Sequence, residues 1–393
     1  MEQKKILEIP YGTRDFLPTE AAEKRVIETK LASLFSGWGY DEVVTPTIEY
    51  LETLDRGSSH NLEPHLYKLV SKDNRMMALR HEMTTPIARL MGSRLQGREL
   101  PLRCSYISSV FRYEQSQTGR QCEFYQAGVE LMGSGSAAAD AEVIALAVRS
   151  LLSAGLTEFK LCLGQVEFLS GVMEQYQLAE SECEALKEAM EKHNLVLFEQ
   201  LVDGLNVNDA AKKALKYLPL LNGGPEMLAR AREMALNARS RRALDNLTEI
   251  YHLLETYQVA DYVQFDLGII RDFSYYTGMV FEAYAPELGF PVCGGGRYDN
   301  LLADFGNPCP ATGFALGIER VLLALKRRGG GLPETPKDVY VGYGQGNLEQ
   351  AVAKALELRQ AGKVVELAAA PGTESEAEGA QEAGGYKELL FLP

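Results

Sequence analysis

Positive charge is scarce in this chain: 40 Lys and Arg stand against 54 Asp and Glu in 393 residues, for a formal charge of −14. A surface that grips nucleic acid must displace counterions from phosphates, so the deficit weakens any RNA- or DNA-binding role and leaves it only a local basic patch. Histidine and cysteine are sparse too. Five histidines and six scattered cysteines (Cys104, Cys122, Cys162, Cys183, Cys293, Cys309) include no C-x-x-C pair, which argues against a zinc site and for reduced thiols. No metal or cofactor is expected. No apolar run approaches the roughly 18 residues of a membrane span, and the charged start MEQKK leads into fold-like sequence instead of a signal segment. A cytoplasmic protein without a membrane span is therefore expected. Tandem repeats are absent, and the only loose compositional stretch is Gly/Glu/Ala-rich, at 371–385.

What is present is an ordinary soluble composition, 46% hydrophobic and 24% charged, long enough for two or three domains. Thr19, after Pro18, is placed to cap a helix whose apolar positions Val26, Ile27, Leu31, Leu34 and Phe35 recur at near-helical spacing, with Gly37 at its end. A β-rich stretch, Glu42 to Thr47, follows. The run 134–154 predicts a second long helix, and 158–163 a strand. From about 166 to 258, runs such as ESECEALKEAMEKH and SRRALDNLTEIYHLLETY, broken by Gly204, Gly223, Gly224 and Pro225, predict a helical insertion. Strands at 262–267 and 278–284 resume the core, which extends to about residue 328. After a Gly/Pro-rich linker the segment 338–393 reads strand, helix, strand, acidic linker, strand. Asp338 and eight Glu outnumber Lys354, Arg359, Lys363 and Lys387 there, a sign opposed to phosphate binding.

The stretch FRYEQSQTGRQCEFYQAGVE, Phe111 to Glu130, carries charge where a core hairpin would be apolar. Strand side chains alternate with a period of two, so the even positions project Arg112, Glu114, Arg120, Gln126 and Glu130 onto one face of a hairpin that turns at Gln115–Gly119. Such a face suits a small polar ligand; the alternative is an exposed hairpin whose charges are merely solvated. His81 has no second histidine or cysteine at ligand spacing and reads as a structural or surface imidazole.

Further motifs stand in a fixed order: YGTRDFLP at 11–18, GYDEVVTPTIE at 39–49, ALRHEMTTPIAR at 78–89, RDFSYYTGMVFE at 271–282, CGGGRYDNL at 293–301 and GFALGIER at 313–320. With the hairpin, they resemble the class II aminoacyl-tRNA synthetases, specifically the histidine enzyme, over roughly residues 9–328. The resemblance implies an α+β fold: an antiparallel sheet flanked by helices, a helical insertion, and a short α/β C-terminal segment similar to an anticodon-binding domain. It also implies a homodimer, through the helix and strand that lead to Pro46. By the same similarity Glu82, Thr84 and Gln126 would surround the ammonium of histidine, and Arg112, with Arg271 close by, its carboxylate. Glu130 and Tyr276 would orient the imidazole, with Tyr275 packing nearby. Arg112, Arg120 and Arg320 would hold ATP phosphates, and Glu114 would lie near the adenine.

The chain departs from the synthetase pattern in places that matter for activation. Ser116 and Cys122 replace a rigid residue and a cation, Asp272 and Ser274 stand where the pattern has Gly and Asp, and His81 and Met83 replace Pro and Gly. A preserved amino-acid pocket, altered activation motifs and an acidic, shortened C-terminus together resemble the regulatory-subunit family of ATP phosphoribosyltransferase. That resemblance implies a protein with no catalytic residues and a vestigial ATP site. It would bind L-histidine as a feedback effector and pair with a short-form catalytic subunit as a homodimer within a hetero-oligomer, with tRNA an improbable partner. The rival reading is a working histidine–tRNA ligase.

Overall fold

The computed structural model describes residues 6–56, 63–113, 121–192, 194–269, 275–330 and 337–393. Two compact units result, Met1–Gly331 and Leu332–Pro393. In the first, the strands are β1 (Asp41–Glu42), β2 (Ile48–Tyr50), β3 (Lys68–Val70), β4 (Met76–Leu79), β5 (Leu102–Phe111), β6 (Glu123–Met132), β7 (Lys160–Gln165), β8 (Asn222–Gly223), β9 (Val263–Asp266), β10 (Met279–Tyr284), β11 (Cys293–Arg297) and β12 (Ala311–Gly317). Nine of them, among the described residues, form one sheet in the order β1–β5–β6–β12–β11–β10–β7–β9–β8. All pairings are antiparallel except β1 with β5 and β7 with β9. A small antiparallel sheet, β2–β4–β3, stands beside it.

Helices α1 (Pro18–Gly37), α2 (Leu51–Asp55), α3 (Thr84–Met91), α4 (Ala137–Ala154), α5 (Val166–Gln175), α6 (Glu180–Glu191), α7 (Leu195–Gly204), α8 (Asp209–Tyr217), α9 (Glu226–Met234), α10 (Ala238–Thr256) and α11 (Ile318–Arg327) complete this unit. α1 buries Ile27, Leu31 and Phe35, and the Phe35 ring meets Phe314 of β12 edge-on at 6.1 Å. Full burial of such a side chain contributes about 1.5–3 kcal/mol. α4 follows a side-chain cap, Ala139 N donating to Ser136 Oγ at 3.3 Å, and ends at Gly155 with φ of 103°. Its apolar positions Val143, Ile144, Leu146, Ala147 and Leu151 are fully buried, and it packs against β12, α1 and α10.

The helix expected after Thr19 begins two residues earlier, its cap position moving from Thr19 to Leu17. Pro18 is its first residue and Leu17 precedes it without a side-chain cap, because proline's fixed φ suits a first helical position. The strand expected over Glu42–Thr47 is also corrected: β1 ends at Glu42 and β2 starts at Ile48, with Pro46, which has no N–H to give a ladder, between them. β7 runs two residues later than the expected 158–163. The insertion is not purely helical, since β8 within it pairs with β9.

The second unit has strands β13 (Val339–Tyr343), β14 (Val365–Leu367) and β15 (Glu388–Leu392) in one parallel sheet ordered β14–β13–β15, with helices α12 (Leu348–Gln360) and α13 (Glu374–Gly384). α13 occupies the stretch read as a linker. Only Ala377 of it is buried, so the apolar period that marks a helix is missing. Its start is set by a capping box between Thr373 and Glu376 and its end by Gly385 at φ 71°. No helix among the described residues is long and apolar enough to cross a membrane.

Candidate ligand-binding site

Register places the cavity-facing side chains. Across neighbouring strands Ser108, Gln126 and Gly317 stand in one row, Tyr106, Gly128, Ala315, Gly294 and Glu282 in a second, and Cys104, Glu130, Gly313, Gly296 and Val280 in a third. Paired residues share a face, so glycines floor the middle of the sheet while Gln126, Glu130 and Glu282 rise from it. The glycines are sterically required: a Cβ on Gly313 would overlap Glu130 Oε2, and one on Gly296 would lie 2.8 Å from the Tyr276 ring. Above this floor lies a cavity of about 470 Å³.

One wall is the segment before α3. Arg80 is buried and ties the segment down, its Nε donating to Ser109 O and its Nη1 to Thr45 O, both at 2.8 Å. The Glu82 carboxylate then accepts from Thr84 N at 2.5 Å and Thr85 N at 2.8 Å, closing the first turn of α3, where negative charge is favoured. Arg112 follows β5; its Nε donates to His81 O at 2.9 Å, and its own N–H donates to Cys122 O at 2.8 Å. A further part of the lining is aromatic. Tyr275 and Tyr276 lie 4.8 Å apart, and Tyr275 meets Tyr298 edge-on at 5.7 Å.

Glu130 is the centre of the polar chemistry. It is 1% exposed; Thr84 Oγ1 donates to Oε1 at 2.8 Å and the Tyr298 hydroxyl donates to Oε2. Burial pushes its carboxyl up to about 8, assisted by the Glu82 charge and opposed by the two hydroxyls. His81 is fully buried, which rules out the surface alternative; burial pushes its imidazole down to about 4, so the ring is neutral. Arg320 donates from Nη1 to Pro291 O at 2.8 Å and lies over the Phe290 ring at 5.2 Å.

Of the residues singled out from sequence, Glu82, Thr84, Arg112, Gln126, Glu130, Tyr275, Tyr276 and Arg320 all line this one cavity. Arg271, Glu114 and Arg120 lie outside the described residues. Sequence reasoning missed Tyr106, Tyr298, Glu282 and Phe290, which also line it. Tyr298 stood inside the quoted motif CGGGRYDNL, and a large hydroxyl-bearing ring beside glycines was the available signal. Also missed was the ion pair that braces β11: Arg297 Nε lies 3.0 Å from Asp140 Oδ1, with Arg297 Nη1 donating to Ser134 O at 3.1 Å and Asp299 Oδ1 at 2.9 Å.

The family model described as histidyl-tRNA synthetase matches residues 12–321. The ATP phosphoribosyltransferase regulatory subunit of Moorella thermoacetica is 46% identical over 92% of this chain and 92% of its own. That of Desulfitobacterium hafniense is 38% identical over 98% of both chains. Among solved structures, an ATP phosphoribosyltransferase regulatory subunit/histidyl-tRNA synthetase from Bacillus halodurans superposes with a TM-score of 0.89 at 35% identity, over 98% of each chain. A histidyl-tRNA synthetase from Nostoc, at 20% identity, shares the fold with a TM-score of 0.83 over 96% of this chain and 90% of that one.

Proposed function

We propose a role that starts from a membership: the chain belongs to the family of ATP phosphoribosyltransferase regulatory subunits, which carry the histidyl-tRNA synthetase fold. In this role the protein makes no bond itself. It partners a short-form ATP phosphoribosyltransferase catalytic subunit in the first step of histidine biosynthesis, and L-histidine in the cavity favours an inhibited arrangement of the shared assembly.

The observation that carries the reading is the complementarity of the cavity to an imidazole amino acid. Gln126 Oε1 is buried without a hydrogen-bond partner, an acceptor that a ligand ammonium satisfies, with Glu82 supplying the charge. Arg112 is the cation for the carboxylate, joined by Arg271. Glu130, held by Thr84 and Tyr298, and Tyr276 pair with the ring nitrogens, which penalises analogues that lack them. Tyr275 packs beside the ring. The Arg320 guanidinium is engaged with Pro291 and Phe290, in keeping with an ATP site that is vestigial.

The chain is a homodimer in this proposal. The exposed side chains Val44, Ile48, Leu69, Val70 and Met76, on or beside the small sheet, suit a second copy. The acidic charge of residues 338–393 opposes phosphate binding, and tRNA is not a partner in this proposal.

The rival ligase reading draws on the retained Arg112 and Arg320 in the same cavity. Histidine-dependent pyrophosphate exchange separates the two. No exchange, with histidine binding and copurification of the catalytic subunit, is expected; robust exchange would overturn the regulatory reading. Arg320→Ala is expected to leave histidine inhibition of the assembly within about twofold of the native value, since its loss removes uniform contacts away from the amino-acid groups. Abolished inhibition would contradict the separation of the two sites.

A further inference from the structure

The N-terminal turn has no part in the reading above, and none of residues 10–16 lines the cavity. It is nonetheless fastened to the hairpin that carries Arg112. Thr13 donates to Pro10 O from N at 3.1 Å and from Oγ1 at 2.7 Å, which closes the turn. Downstream, the Arg14 guanidinium lies over the Phe16 ring at 4.0 Å, and that ring meets Tyr125 of β6 edge-on at 6.3 Å.

Gly12 lies inside the turn, against the base of the hairpin. Arg112 and Cys122 stand one rung beyond Phe111 and Glu123, the last paired residues of β5 and β6. Arg112 N donates to Cys122 O at 2.8 Å, and Cys122 N in turn donates to Gly12 O at 2.7 Å. The turn therefore holds the backbone that holds Arg112. Only glycine suits this position: its φ is 73°, and a Cβ on it would lie 2.3 Å from Cys122 Sγ and 2.8 Å from Cys122 Cβ. Cys122 is buried, so a larger residue at position 12 must push the two chains apart.

We propose that Gly12 is a positioning residue for Arg112: through Cys122 it sets where the guanidinium meets a ligand carboxylate, and so makes the cavity prefer an amino acid to the corresponding amino alcohol. The inference deepens, and rests on, the reading that gives Arg112 the carboxylate. A charge-assisted contact of this kind depends on sub-ångström placement of the cation, which the residues behind it must supply. Gln126 and Glu130, by contrast, lie within the β5–β6 ladder, whose register holds them without the turn.

Calorimetry on the full chain tests it, with L-histidine and with L-histidinol, in which a hydroxymethyl group replaces the carboxylate. The native chain is expected to prefer histidine by at least about tenfold, because the neutral analogue leaves a cation unpaired. Gly12→Ala is expected to weaken histidine binding about tenfold while histidinol binding stays within about twofold, so that the preference is lost. Thr13→Val, which loosens the turn without adding bulk beside Cys122, is expected to lower the preference about threefold, and it carries the test alone if the alanine variant does not fold. A native preference kept in Gly12→Ala overturns the inference, whether both affinities are unchanged or both fall together, the second being the mark of a merely structural role. If only Thr13→Val folds, an unchanged preference there overturns it equally. A native chain that binds both compounds alike fails at the earlier step, the assignment of Arg112 to the carboxylate, and the inference falls with it.

Discussion

Glu130→Ala is expected to weaken L-histidine binding by roughly 10- to 100-fold and to relieve histidine inhibition of the assembly, since an unsatisfied buried polar group costs about 1–3 kcal/mol. The substitution removes the partner proposed for the imidazole and also leaves the Thr84 and Tyr298 hydroxyls without their acceptor. Calorimetry on the isolated chain and inhibition assays with the catalytic subunit read the two effects separately. An unchanged dissociation constant would remove Glu130 from the site.

The same carboxyl makes a pH prediction whose sign is definite. Its pKa rises from 4.5 to about 8 on folding, so between those values the native chain holds a proton that the unfolded chain has released. Its contribution to stability is therefore present below the lower value and is lost as pH rises through the upper one, with a slope of up to about 1.4 kcal/mol per pH unit. Urea midpoints of the ligand-free chain at several pH values, compared with Glu130→Gln, isolate this component. Identical slopes in the two proteins would show that the carboxyl does not hold its proton.

Asp140→Ala is expected to destabilise the larger unit by roughly 3–5 kcal/mol, the cost of stranding one partner of a buried ion pair. Asp140 and Arg297 are 1% and 6% exposed. Burial pushes the Asp140 carboxyl upward in spite of Arg297 beside it, so the intact pair is near break-even while its disruption is not. Arg297 keeps Asp299 and the Ser134 carbonyl in the variant, which puts the cost at the lower end. Because Arg297 closes β11 directly before Tyr298, histidine binding should weaken along with stability. A urea midpoint unchanged by the substitution would mean that the pair is dispensable.

Several features were legible because they depend on local geometry. The shared parity of residues 126 and 130 put Gln126 and Glu130 on one face of β6, and the pairing register keeps them there. The apolar period of 134–154 marked α4 because that helix is buried nearly all round. Where local signals conflict or are weak, the reading failed. α13 has one buried residue and was read as a linker; β1 and β2 are too short to carry a period at all.

By itself the sequence determined the strand and helix periods, the charge balance and the order of the motifs, because these are properties of neighbours along the chain. Tertiary structure alone decided that β12 lies beside β6 and β11 beside β12, which is what brings Gly313 under Glu130 and Tyr298 onto its carboxylate. The pairing of Asp140 with Arg297 belongs to the same class. Such contacts join residues more than a hundred positions apart, and what selects them is the burial of one sheet face and the satisfaction of polar groups within it, quantities that no local window contains.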